Sequence, residues 1–227
     1  MLDTLSWHLP TGTTFLLGPN GAGKSTLLSL LATSLTPQHG ELLWGSQQLD
    51  TKSLPLWRQR VGWIPQRVDP IPGMTSREQV AYAGWLKGLS RRDAWDRAAS
   101  SLERVHLTGK ANERSSQLSG GQLRRLAIAC ALTHDATVLL MDEPTAGLDP
   151  NQRSRLYALV GKLEEVDCLI ATHQTEDMGL PEANVAVMDR GRIIHESSWT
   201  DFISLGSGAA TEERAVSAYR SLIREEE

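Results

Sequence analysis

The chain is 227 residues long, 40% hydrophobic and 22% charged, with a net charge of −4. These values suit one or two compact domains with a sizeable core. The acidic balance gives no broad electrostatic reason to bind nucleic acid or an anionic membrane surface.

No apolar run approaches the roughly 18 residues that a membrane span needs. The opening Met1-Leu2-Asp3-Thr4 has no basic region leading into an apolar stretch, which argues against secretion. Cys130 and Cys168 sit inside apolar runs and read as buried thiols, not a disulfide framework. A cytosolic protein is the expectation; if it serves a membrane process, another chain must supply the membrane.

In chain order, residues 13–17 read as a short strand that feeds a glycine-rich loop. A helix follows, with Leu27, Leu28, Leu31 and Leu35 expected on one face. Pro37-Gln38-His39-Gly40 breaks the chain. Residues 41–44 and the turn at Gly45-Ser46 then suggest a small antiparallel piece. Residues 61–65 are strand-like. Thr75 and Glu78 have capping-box spacing, which starts a helix running to Lys87. Ser90 begins another, with Trp95, Ala98, Ala99, Leu102 and Val105 at helical spacing.

This helical block, about residues 68–128, precedes a strand at 137–141. Val138-Leu139-Leu140-Met141 is continuously apolar, as a parallel strand buried on both faces should be. A helix at 151–165, strands at 166–172 and 184–188, and a closing hairpin strand at 191–194 continue an α/β alternation. The tail places Val216, Tyr219, Leu222 and Ile223 on one helical face before Glu225-Glu226-Glu227. The division expected is a domain at 1–205, with the helical block inserted, and a helical tail at 206–227. The expected fold is α/β: a P-loop nucleotide-binding core with a mostly parallel sheet and a small antiparallel piece.

Gly18-Pro19-Asn20-Gly21-Ala22-Gly23-Lys24-Ser25 is a full phosphate-binding loop between a strand and a helix. Its glycines let successive N–H groups turn inward around phosphate oxygens, where a Cβ would obstruct them. The helix start adds its positive end. Lys24 is placed to reach the β- and γ-phosphates and the Ser25 hydroxyl to ligate Mg²⁺, with Thr26 beside them. About a hundred residues on, Leu118-Ser119-Gly120-Gly121-Gln122 supplies a second helix start of the same physical kind.

Together these motifs resemble the ATP-binding cassette (ABC) family, over residues 2 to about 200. The resemblance implies a Mg²⁺-dependent ATPase in which two chains clamp two ATP molecules head to tail. Ser119, Gly120, Gly121 and Gln122 then face the γ-phosphate held by the partner's loop. Asp142-Glu143 resembles the Walker B pair, with Asp142 toward the metal and Glu143 as general base. Gln66 resembles the Q-loop residue that touches Mg²⁺ and water. Ala146-Gly147-Leu148-Asp149 resembles the D-loop that crosses the dimer interface, and His173 the switch histidine at the γ-phosphate. His8, His39, His106, His134 and His195 have no such placement.

The resemblance also sets expectations for partners. DNA-end ATPases insert a long coiled coil before the signature and ribosomal ones carry two cassettes in a chain. This sequence does neither, which favours a subunit of a transporter with a separate membrane chain, the ATPase lying at the membrane's cytoplasmic side. Tyr82-Ala83-Gly84-Trp85-Leu86-Lys87-Gly88, Leu123-Arg124-Arg125-Leu126 and Ala171-Thr172-His173-Gln174-Thr175-Glu176-Asp177 look like bacterial exporters of the ABC-2 type; an importer ATPase is the alternative.

Trp95 and Trp63 read as core. Trp57 and Trp85 flank the Q-loop and could line a partner groove, with core packing favoured. The family has an upstream strand and an adenine-stacking aromatic, which lie before the part that Met1-Leu2-Asp3-Thr4-Leu5-Ser6 matches. Without them, affinities for ATP and GTP should lie within about tenfold, and the small sheet should expose an unpaired edge. Trp7, expected within the strand before the loop, is not placed to substitute.

Overall fold

A computed structural model describes residue 2 and residues 5–163, 165–175, 178 and 180–224. Glu176 and Asp177 of the exporter-like run, the start at Asp3-Thr4 and the tail Glu225-Glu226-Glu227 lie outside the described residues.

The expected P-loop arrangement is present. β1 (Thr13–Leu17) leads through the phosphate loop into α1 (Lys24–Leu31). A two-stranded antiparallel sheet follows, β2 (Leu43–Trp44) and β3 (Gln47–Gln48), and then α2 (Leu54–Arg60) and β4 (Val61–Ile64). The helical block comprises α3 (Ser76–Leu86), α4 (Arg91–Arg104) and α5 (Gly120–Leu132). The chain closes with β5 (Val138–Asp142), α6 (Pro150–Val160), β6 (Asp167–Thr172), β7 (Asn184–Asp189), β8 (Arg192–Ser198), α7 (Trp199–Ser204) and α8 (Thr211–Arg224).

The main sheet runs β4-β5-β6-β1-β7-β8, parallel except for β8. Its inner strands are apolar on both faces because each face has its own core. Phe15, Leu17, Leu139, Met141, Cys168 and Ile170 enter one cluster with the helical block. Leu16, Leu140, Leu169 and Ala171 enter the other with α1 and Trp57. Side chains alternate across a strand, so a continuous apolar run feeds both layers.

Thr75 and Glu78 form the expected capping box on α3. Gly62 explains how closely the block lies on the sheet: a Cβ there would stand 2.6 Å from the Ala131 Cβ of α5. Buried Val80, Ala98, Leu102 and Leu126 share the main core with the sheet. Both cysteines are free thiols, and burial pushes each up to about 12. Buried His134 donates to the Gln59 carbonyl at 2.7 Å, and burial pulls its imidazole down to about 4.

Several local expectations need correction. α1 ends at Leu31, and Thr33 at φ 56° turns the chain aside, leaving Leu35 49% exposed. Of the face expected on α4, Ala98, Leu102 and Val105 are buried, but Ala94 and Ser101 are buried in place of the expected Trp95 and Ala99. Small residues at 94 and 98 allow close approach to α3. Trp95 therefore stays outside, 43% exposed, under the Arg77 guanidinium at 4.2 Å. Trp63 is 40% exposed because β4 is an edge strand.

Trp57 is core, edge-on to Trp44 and donating to the Leu31 carbonyl at 2.7 Å. Trp85 is 45% exposed beside Tyr82. α6 stops at Val160, where Gly161, a weak helix former, follows. Trp7 lies outside β1, in a stretch with no assigned strand, but packs with Leu5 and Leu9 on the second core. In α8 the packed face is Ala215, Ala218, Tyr219, Leu222 and Ile223, without Val216.

Candidate functional site

The phosphate loop is held from outside itself. Gly18 lies against β7, where a Cβ would come 2.2 Å from the Met188 carbonyl oxygen. The Gly191 N–H, in the β7–β8 turn, donates to the Ala22 carbonyl at 2.8 Å. Gly21 and Gly23 take φ of 86° and 109°, where a side chain is strained. Gly23 begins α1 with no side-chain cap. The first-turn N–H groups at Lys24, Ser25 and Thr26 have no acceptor within the helix. That is a fixed set of donors suited to an anion.

Lys24 is only 7% exposed and donates to the carbonyls of Gly18 at 2.6 Å and Pro19 at 3.0 Å. Burial pulls its ammonium below the usual lysine range, while the charges of Glu143 and Asp142 oppose the shift. The loop and the acid pair are thus in electrostatic contact. Ser25, Thr26 and Asn20 are exposed.

Asp142 ends β5, and Glu143 follows it at φ 45°, a backbone conformation costly for a non-glycine residue. Glu143 is buried. Its N–H donates to the Ala171 carbonyl at 2.9 Å, which anchors it to β6. One carboxylate oxygen accepts from His173 Nδ1 at 2.7 Å, the other from Thr172 Oγ1 at 3.3 Å. Each oxygen has a second lone pair, so a proton-accepting site remains.

The structure brings Lys24, Asp142, Glu143 and His173 together and adds Thr172, whose role the sequence reading left out. A β-branched polar residue ending the buried run at 168–172 was the available signal. Thr172 also accepts from the Gln174 N–H at 3.1 Å, fixing the turn that presents His173.

The oxygen donors Ser25, Asp142 and Gln66 are hard ligands of the kind Mg²⁺ takes. Among the described residues no cluster of three or more His, Cys, Asp or Glu side chains could hold a metal alone. The set fits a magnesium ion that keeps water and shares nucleotide phosphates. Gln66 is exposed, and its carbonyl accepts from Arg124.

The signature segment is separate from this assembly. Ser119 caps α5, accepting from the Gln122 N–H at 3.4 Å, and the Gln122 side chain accepts from the Ser119 N–H at 2.8 Å. Ser119 and Gly120 are exposed. A Cβ on Gly121 would meet Gln152 of α6 at 3.2 Å, and one on Gly120 would meet Leu148 at 3.9 Å. The signature therefore borders residues 146–149, where Asp149 caps α6 by accepting from the Gln152 N–H at 2.9 Å. These contacts with residues 148 and 152 lie away from the phosphate loop.

A phosphate loop, a strand-end acid pair and a glycine-opened helix on one sheet define a class, and comparison with known proteins agrees. The family model for the ABC transporter matches residues 2–146, and the chain belongs to that family. It is 37% identical over 203 residues to the Nod factor export ATP-binding protein I of Paraburkholderia xenovorans, covering 87% of this chain and 66% of that one. Identity is also 37% over 203 residues to the cobalt import ATP-binding protein CbiO of Rhodobacter capsulatus, covering 87% and 72%. The chain thus spans about two thirds of the length of such relatives. The ATP-binding cassette MJ0796, solved as a dimer in a post-hydrolysis state with ADP and Pi, is similar in fold. Its TM-score is 0.73 at 26% identity, over 87% of this chain and 90% of that one.

Proposed function

We propose that this chain is the Mg²⁺-dependent ATP-hydrolysing subunit of a transporter whose membrane-spanning part is a separate chain. The observation that carries this is the buried group behind the phosphate loop: Lys24 facing Asp142 and Glu143, with Glu143 held by Thr172 and His173. Residues 18–26 would hold the phosphates, and Ser25, Asp142 and Gln66 would hold Mg²⁺. Glu143 would take the proton of the attacking water, with His173 beside the γ-phosphate. Magnesium, when bound, would neutralise charge developing on the phosphates.

Ser119, Gly120, Gly121 and Gln122 would complete the partner's site, with Asp149 at the interface between two chains. The outward exposure of this segment and the dimeric state of the similar cassette support a head-to-tail pair. Among the described residues no helix is long and apolar enough to cross a membrane. Exposed Trp85, beside Tyr82 on α3, offers that chain an aromatic contact.

Export is the direction we favour, from the exporter-like runs and the Nod factor relative. The equal identity to the cobalt importer supports import as the second reading. Purified protein should release phosphate from ATP only with Mg²⁺, at a rate rising faster than linearly with protein concentration. First-order activity from a demonstrated monomer would refute the shared site. Reconstitution with the membrane chain in vesicles, with cargo flux measured relative to the ATPase face, decides direction.

A further inference from the structure

The Q-loop and the signature helix are joined by one side chain. Arg124 lies in the second turn of α5. Its Nη1 donates to the Pro65 carbonyl at 2.9 Å and its Nη2 to the Gln66 carbonyl. Among the described residues no carboxylate stands within ion-pair distance of Arg124. The guanidinium is committed to two consecutive backbone carbonyls instead.

This geometry is demanding. A planar fork can engage both carbonyls only when the two peptides turn them the same way. The orientation of Gln66 at its root is thereby set from α5. Pro65 has a fixed φ and no N–H of its own, so little freedom remains between β4 and Gln66. Downstream, Arg67 and Asp69 pair at 2.8 Å but are both largely exposed, and such a pair holds weakly. Arg124 is the side chain that ties this part of the loop to α5. It rides on the same helix as the Ser119 cap, about one and a half turns away.

We infer that Arg124 is a positioning residue: it sets Gln66 according to the orientation of the signature helix. A shift of α5 when a phosphate engages its N-terminus would pass through the fork to the Gln66 backbone. One chain thus links the site that its signature completes to the site that its own Gln66 serves. The inference rests on the shared-site ATPase proposed above.

The test is a double-mutant cycle on the full chain with Mg²⁺ and ATP. Arg124→Met should lower kcat about tenfold, equivalent to 1.4 kcal/mol, with ATP affinity unchanged within about twofold. In a Gln66→Ala background the same change should cost nothing further, because its effect passes through Gln66. An equal loss in both backgrounds, or an unchanged kcat, overturns the inference.

Arg124→Lys keeps the charge without the fork and should shift kcat in the same direction. If the methionine variant does not fold, the lysine variant carries the cycle. A second readout needs no hydrolysis: Arg124→Met should speed amide hydrogen exchange at residues 66–68 and leave α1 unchanged. Unaltered exchange there overturns the clamp. A wild-type chain with no ATPase activity but a clamp confirmed by exchange would instead sink the proposed function.

Discussion

Two glycine-rich segments open helices in this chain, and they are finished in opposite ways. The phosphate loop leaves α1 without a side-chain cap and is fixed from outside by Met188 and Gly191. The signature caps itself through Ser119 and Gln122 and is exposed. An uncapped, externally framed helix start keeps its donors available for a ligand. A self-capped start is stable alone and must exchange an internal bond for an external one. In the function proposed above, the first is a standing site and the second is half of a contact that a neighbour completes.

The largest effect expected falls on the acid behind the standing site. Glu143→Gln keeps the shape but cannot accept a proton, so hydrolysis should fall about 10²–10⁴-fold with ATP binding retained. Hydrolysis at the wild-type rate would remove Glu143 as the base.

Ser119→Arg probes the other half. The variant should bind ATP as the parent does, yet lose the concentration-dependent part of hydrolysis, read by phosphate release across a dilution series. Weakened ATP binding by its isolated monomer would break the distinction, since the signature would then serve its own chain's site.

Lys24→Ala should lower ATP affinity by roughly 10- to 100-fold, as expected for one or two lost charge-assisted bonds. Titration calorimetry measures it, and unchanged affinity would take Lys24 out of the site. The smallest effect is on stability alone. Ser119→Ala should cost about 1 kcal/mol through loss of the cap, seen in urea unfolding. No loss would mean that the signature is not self-supporting.

The same contrast explains what was legible in the sequence. The phosphate loop, the signature and the acid pair were legible because their chemistry lies on consecutive residues. The α/β alternation followed from apolar runs and turn residues. The orientation of Trp95 was not legible, because helical periodicity does not say which of two adjacent residues at a face's edge turns inward; the small Ala94 took that place beside Ala98. Trp63 sits in the expected strand, but its exposure depends on β4 lying at the sheet edge. The bond from His173 to Glu143 and the Arg124 fork join residues 30 and 58–59 apart. No local pattern announces such pairings.

The frame around the phosphate loop has a consequence for the order in which the protein is made. β1 lies between β6 and β7, and Ala22 is met by Gly191. A nascent chain that has not reached residue 167 already carries the loop, the signature and the acid pair. It has neither neighbour for β1. Pairings this distant in sequence form late and slowly. A chain interrupted before β7 therefore carries every motif, but its phosphate loop lacks the β7 and Gly191 contacts that frame it.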